Sequence, residues 1–172
     1  MTPGAIEKLA RQVLEACRRH QAMLAMAESC TGGLVAAALT DIAGSSDVVE
    51  RGFVTYSNEA KSDMLGVPAA LIASHGAVSA EVAAAMAEGA LRHAHASVAV
   101  AVTGIAGPGG GSEAKPVGLV HFAAASQAGR LVRLERRYGP LGRKAIREAA
   151  TADALQLVID LLGADQAAGG LP

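Results

Sequence analysis

Ala27-Glu28-Ser29-Cys30-Thr31-Gly32-Gly33 joins an apolar run, Met23 to Ala27, to an Ala- and Leu-rich run that starts at Leu34. A short apolar segment, then Ser, Thr and two Gly, then helical periodicity reads as a strand, a tight turn and a helix N-terminus. The first amides of a helix have no partner within it, so they converge with positive partial charge on whatever anion sits above the turn. Ser29 sets a hydroxyl beside them. A nucleophile next to oxyanion donors is one reading of that combination; a residue that only caps the helix is the other.

On the N-terminal side, Ile6, Leu9, Ala10, Val13, Leu14 and Cys17 recur at helical spacing, which predicts an amphipathic helix ending near His20. On the C-terminal side, Gly33 to about Ile42 reads as a second helix, rich enough in Ala to pack closely on a sheet. Val48 to Thr55 reads as a strand leading to Tyr56. Ser57 or Asn58 then caps a short helix that Gly66 ends and Pro68 keeps from resuming. Asn58 and Lys61 lie three apart, on one face of that helix close to a strand end, where a polar pair is well placed to meet a cleft. A short helical turn over Pro68 to His75 and an Ala-rich helix from Glu81 to about His95, capped by Ser79, follow. His93 and His95 are two apart and point to different faces, so they read as exposed histidines and not as a metal pair.

Ser97 to Val102, valines alternating with Ala, reads as a buried strand. It empties into Thr103-Gly104-Ile105-Ala106-Gly107-Pro108-Gly109-Gly110-Gly111-Ser112, the most glycine-dense stretch of the chain. Such a backbone can approach a ligand closely and turn its N–H groups toward phosphate or carboxylate. A dinucleotide fingerprint fails here, because Ser112 stands where the third Gly belongs and a strand follows; a phosphate-binding P-loop fails for want of Gly-Lys-Ser/Thr. A plain surface loop is the remaining reading. Val117 to Ala125 and Leu131 to Tyr138 form a hairpin whose second strand, alternating in charge, belongs at a sheet edge. The last helix is expected from about Gly142 to Leu162, with a frayed tail over Gly163 to Pro172. Arg143 opens that helix. A cation is disfavoured at a helix N-terminus, so its placement asks for an anionic partner.

The 172 residues suit one domain spanning the whole chain, with its core at about 6–162. A net charge of -1 with 2% aromatic residues and no Trp argues against nucleic acid and anionic membranes as partners. Neither a secretory pattern nor a membrane-length apolar run occurs, so a soluble, cytoplasmic protein is expected. Cys17 and Cys30 make neither a disulfide framework nor a metal quartet, so no metal or cofactor is expected. Cys30 competes with Ser29 for the part of nucleophile. Helices alternating with strands, then a hairpin and a helix, predict a three-layer α/β/α sandwich with a mixed sheet. Ligands in such sheets bind beyond the carboxyl ends of the strands, where Glu28-Ser29, Tyr56 and Thr103-Gly104 fall.

These motifs carry a family resemblance. Ala27 to Gly33, Gly52 to Lys61, His75-Gly76-Ala77-Val78-Ser79, Gly104 to Pro108 with Gly110-Gly111-Ser112, and Lys115-Pro116-Val117-Gly118 together resemble the C-terminal domain of the CinA family, the nicotinamide-nucleotide amidases, in stand-alone form. The resemblance covers about Ile6 to Leu162. It implies an anticodon-binding-domain-like α/β/α fold, commonly a homodimer, that hydrolyses nicotinamide mononucleotide to nicotinic acid mononucleotide and ammonia in pyridine nucleotide salvage. It further implies Ser29 as nucleophile, Lys61 as its base, Arg143 as a further essential cation, and no metal. Arg143 is expected either to depress the Lys61 pKa or to hold the substrate phosphate. Glu28, Thr31, Gly32, Gly33, Tyr56, Asn58, Thr103, Gly104 and Gly107 are then the expected substrate contacts. A nucleotide- or partner-binding module with little or no turnover is the other class of function these residues allow.

Overall fold

The structure, a computed structural model, describes residues 4–168. In chain order it contains α1 (Ala5–Arg19), β1 (Leu24–Glu28), α2 (Leu34–Thr40), a 3-10 turn at Ser45–Asp47, β2 (Val49–Val54), α3 (Asn58–Leu65), α4 (Ala69–His75), α5 (Ala80–His93), β3 (Val98–Gly104), β4 (Leu119–Ser126), β5 (Leu131–Arg137) and α6 (Arg143–Ala168). The five strands make one sheet in the order β2-β1-β3-β4-β5. β1 is parallel to both β2 and β3, whereas β4 runs antiparallel to β3 and to β5. Helices α1, α2 and α6 cover one face, and α3, α4 and α5 lie on the other. The domain is the three-layer mixed α/β sandwich that the alternation of elements predicts.

The two faces of the central strands differ in bulk. Leu24, Met26, Val98, Val100 and Val102 point into the α1/α6 core, while Ala25, Ala27, Ala99 and Ala101 face α5. Alternation of large and small residues, both kinds buried, is what a strand covered on both sides requires. The alanines of α5, Ala83, Ala84, Ala87 and Ala90, sit against that flat face. Close approach continues outward to α3. At Gly89 an added Cβ would run into the backbone carbonyl of Leu65, one turn beyond Lys61.

One boundary differs from expectation. α6 continues past Leu162 through Gly163 to Ala168, because Ala and Gln sustain a helix and no proline interrupts it. Residues 169–172 of the expected tail lie outside the described residues. Among the described residues no helix is long and apolar enough to cross a membrane.

Gly89 tests the packing that seats α3. Propensity alone favours Ala over Gly in a helix by about 1 kcal/mol, but a methyl pressed into backbone costs about 1–3 kcal/mol. Gly89→Ala is therefore expected to lower the urea midpoint; a raised midpoint would contradict the close approach of α3 and α5.

Candidate active site

The chain leaves β1 toward β2 on one side and returns to β3 on the other, which makes the crevice beyond the end of β1 the switch point of the sheet. Ser29 is the first residue past that end, and its amide still bonds the Val102 carbonyl at 2.9 Å. Successive side chains of a strand point to opposite faces. Glu28 therefore turns toward α2 and Ser29 toward α3.

Glu28 is 1% exposed. Its carboxylate accepts from the amides of Gly33 at 3.0 Å, Val35 at 3.1 Å and Ala36 at 2.9 Å. This corrects the sequence reading in two ways. Glu28 is not directed at a ligand, and the anion above the N-terminus of α2 is the chain's own carboxylate. Gly32 and Gly33 adopt φ of +60° and +100°, which glycine alone accepts without strain, and so bring the helix start back over Glu28. The Gly32 amide bonds the Ser29 carbonyl at 3.0 Å. Both glycines thus shape the turn and leave the Cys30 and Thr31 amides as its remaining donors, the first meeting only its own thiol and the second no hydrogen-bonded acceptor among the described residues.

Lys61, 1% exposed, comes from α3, whose start is fixed by the Ser57 hydroxyl accepting from the Ala60 amide. Its Nζ donates to Ser29 Oγ at 3.1 Å, to the Thr55 carbonyl at 2.9 Å and to the Ser57 carbonyl at 3.4 Å. Among the described residues no carboxylate pairs with it. Burial pushes its pKa below the ordinary lysine value, and Arg143 has no part in that shift. Cys30 is 5% exposed and burial pushes its thiol up to about 11, which leaves it un-ionised at neutral pH and a weak rival to Ser29.

Ser29 and Cys30 open on a cleft of about 240 Å³ walled by Tyr56, Gly104, Ile105, Ala106, Gly107, Gly109, Gly110 and Arg143. Arg143 stands at its mouth, donating to the Gly107 carbonyl at 2.9 Å and to the Tyr56 hydroxyl at 2.7 Å. No acidic side chain among the described residues answers its charge. The glycine stretch is an anchored wall: Gly118 bonds Ile105 at its base, and Lys115 Nζ reaches the carbonyls of His75 at 2.5 Å and Val78 at 2.7 Å.

Besides Glu28, two expected contacts, Asn58 and Thr103, lie elsewhere. Asn58, the first residue of α3, is exposed and borders a separate hollow with Glu59 and Ser62. Thr103 is buried with its hydroxyl donated to the Ala77 carbonyl at 2.8 Å, tying β3 to the α4–α5 connection. Thr31 is wholly buried and, like Thr55, its hydroxyl has no partner among the described residues. A buried hydroxyl in that state calls for a water or a ligand atom. Sequence reading passed over Arg147, which donates from Nε to the Cys30 carbonyl at 3.1 Å and from Nη2 to the Thr31 carbonyl at 2.8 Å. The available signal was its spacing, one helical turn after Arg143.

A family model of the CinA C-terminal domain matches residues 6–162. The chain belongs to that family. This CinA domain is 54% identical over 157 residues to the nicotinamide-nucleotide amidohydrolase PncC of Escherichia coli K12, covering 91% of this chain and 94% of that one. It is 55% identical over 153 residues to a CinA-like protein of Synechococcus sp. RCC307, covering 88% of this chain but only 36% of that longer one. The solved structure of the competence/damage inducible protein CihA from Agrobacterium tumefaciens superposes with a TM-score of 0.91 at 55% identity, over 94% of this chain and 98% of that one.

The capping role of Glu28 is open to measurement. Glu28→Gln replaces one acceptor oxygen by a donor that faces an amide N–H, and a buried donor left unsatisfied costs about 1–3 kcal/mol. Urea unfolding should register a loss of that size, and stability equal to the parent would show that α2 does not depend on the carboxylate.

Proposed function

We propose that this CinA domain hydrolyses the carboxamide of nicotinamide mononucleotide to nicotinic acid mononucleotide and ammonia, as a step of pyridine nucleotide salvage, with Ser29 as nucleophile and Lys61 as its base. The observation that carries this reading is the 3.1 Å contact of a sealed, carboxylate-free amine with a serine hydroxyl at the head of a cleft. A lysine becomes a proton acceptor at moderate pH only when its charged form is destabilised, and burial supplies that destabilisation. A module that only bound a nucleotide would have no use for such a pair. The amidohydrolase name of a relative matched along nearly its whole length supports the substrate class.

In this mechanism neutral Lys61 takes the Ser29 proton as Oγ attacks the carboxamide carbon, and the tetrahedral oxyanion is met by turn amides. Collapse expels ammonia, which receives its proton from the Lys61 ammonium. Water then attacks the acyl-serine ester with Lys61 again as base, releasing the carboxylate and restoring the Ser29 hydroxyl. Arg143, at the cleft mouth and unanswered by any acid among the described residues, holds the substrate phosphate.

Ammonia release from nicotinamide mononucleotide tests the assignment. Ser29→Ala should abolish it with the fold retained, and Lys61→Met should lower kcat by about 10²–10⁴-fold, the usual worth of a general base. Because the base acts as the neutral amine, kcat/KM should rise with pH through the Lys61 pKa and level off at a midpoint below the ordinary lysine value of about 10.4. A folded Ser29→Ala protein that still turned over would falsify the reading.

Arg143 is tested by a comparison of substrates. Arg143→Lys replaces a planar fork by a point charge, so KM for the mononucleotide should rise about tenfold while the phosphate-free riboside is scarcely affected. Equal damage to both substrates would remove the phosphate from its role.

A further inference from the structure

Arg147 has no part in the chemistry above, yet its guanidinium lies directly behind the turn that carries Ser29. It bridges two successive carbonyls, Cys30 at 3.1 Å and Thr31 at 2.8 Å, and a Cβ on Gly32 would stand 3.4 Å from its Nη2. The preceding carbonyl, that of Ser29, is engaged by the Gly32 amide at 3.0 Å. Three consecutive peptide groups are thus fixed by their oxygens. In a trans peptide the N–H points opposite to the C=O. The Cys30 amide is therefore aimed away from Gly32, and the Thr31 amide away from Arg147. Of these two amides, that of Cys30 meets only its own thiol and that of Thr31 has no hydrogen-bonded acceptor among the described residues.

Charge matters as well as direction. A carbonyl that accepts from a cation polarises its own peptide group and makes the N–H across the bond a stronger donor. The Cys30 carbonyl and the Thr31 N–H belong to one such group. A merely mechanical brace would be redundant at this point of the fold, since α6 is already seated by Ile146, Ala150, Ala154 and Leu155, all fully buried.

We propose that Arg147 is a positioning residue for the hydrolysis: by clamping the Cys30 and Thr31 carbonyls from α6 it orients and polarises the Ser29 turn, so that the Cys30 and Thr31 amides stand ready for the oxyanion. The proposal rests on Ser29 being the nucleophile. It gives the two arginines of α6 separate tasks, Arg143 toward the cleft and Arg147 toward the back of the turn.

The test uses the full chain, Arg147→Met and Arg147→Lys, and two reactions: ammonia release from nicotinamide mononucleotide, and covalent labelling by a fluorophosphonate probe followed by intact mass. The probe reacts through an oxyanion on Ser29 whatever the natural substrate is. In Arg147→Met both the labelling rate and kcat should fall about 10–100-fold, less than the full loss of an oxyanion donor. KM should stay within threefold, the thermal midpoint should change little, and the acid limb of kcat/KM should not move, because Lys61 is untouched. Arg147→Lys should lie between, and added guanidinium should recover part of the Arg147→Met loss. Labelling of Arg147→Met within threefold of the parent overturns the proposal, as does a loss confined to KM. Should Arg147→Met fail to fold, a folded Arg147→Lys that labels and turns over at the parent rate overturns it equally. A parent protein that releases ammonia without labelling at Ser29 sinks the serine reading itself, a result distinct from a labelled parent and an equally reactive variant.

Discussion

The Glu28 carboxylate, sealed at the end of a central strand and bonded to three amides of α2, is the constraint on which the site depends. A buried carboxylate is costly unless its oxygens are satisfied, and an N-terminal turn of helix is among the few partners that can do so without a countercharge. Meeting that demand forces the chain to double back over the strand end, which only the left-handed φ values at Gly32 and Gly33 allow. Strand alternation then dictates the rest: with Glu28 committed to the α2 face, Ser29 projects to the α3 face, where Lys61 waits. The same contact occupies the helix terminus with the chain's own carboxylate, while Arg143 at the cleft mouth has no acidic partner among the described residues.

Lys61 is the second buried charge-bearing residue of the site, and it is treated in the opposite manner. Glu28 is given three amide donors; Lys61 is given two carbonyls and a hydroxyl, but no acid among the described residues. Dipoles compensate a buried ammonium less well than a carboxylate would, so the balance tips toward the neutral amine. A salt bridge at this point would hold Lys61 as the ion, which the proposed part of base excludes. Keeping Glu28 on the other face of the sheet from its neighbour Ser29 is what separates its carboxylate from the Lys61 amine.

Much of this was legible in the sequence. Period-two alternation and glycine punctuation located every strand to within about two residues, since strands covered on both faces have strong local signatures. The turn at Ser29, the Ser57 and Ser79 caps and the edge character of β5 were likewise local. What the sequence concealed were partnerships decided across the fold. Glu28 looked like a ligand contact because a carboxylate next to a candidate nucleophile invites that reading, and nothing local says that it folds back on amides five to eight residues later. Thr103 stood at the right strand end, but its hydroxyl had a carbonyl of the α4–α5 connection closer to hand. Asn58 shared a helix with Lys61, yet α3 has only eight residues and buries a narrow stripe. Arg147 was invisible because its partners are backbone carbonyls more than a hundred residues away, and backbone acceptors leave no trace in composition.

The distance between Ser29 and Lys61 is finally a matter of packing two layers away. Lys61 is carried by α3, which packs against α5, and α5 lies close to the sheet because alanines face alanines across that interface. At Gly89 the closest approach of α3 to α5 has no side chain on the α5 side, and the Leu65 carbonyl rests against the helix. Each small residue draws the next element inward by the width of a methyl or more, and the sum brings the amine to 3.1 Å from the hydroxyl. Bulkier residues at these positions would press into the groups packed there, as an added Cβ at Gly89 would on the Leu65 carbonyl. They would also move α3 outward by more than the span within which a proton passes between two atoms, so the alanine and glycine content of this layer belongs to the chemistry as much as to the core.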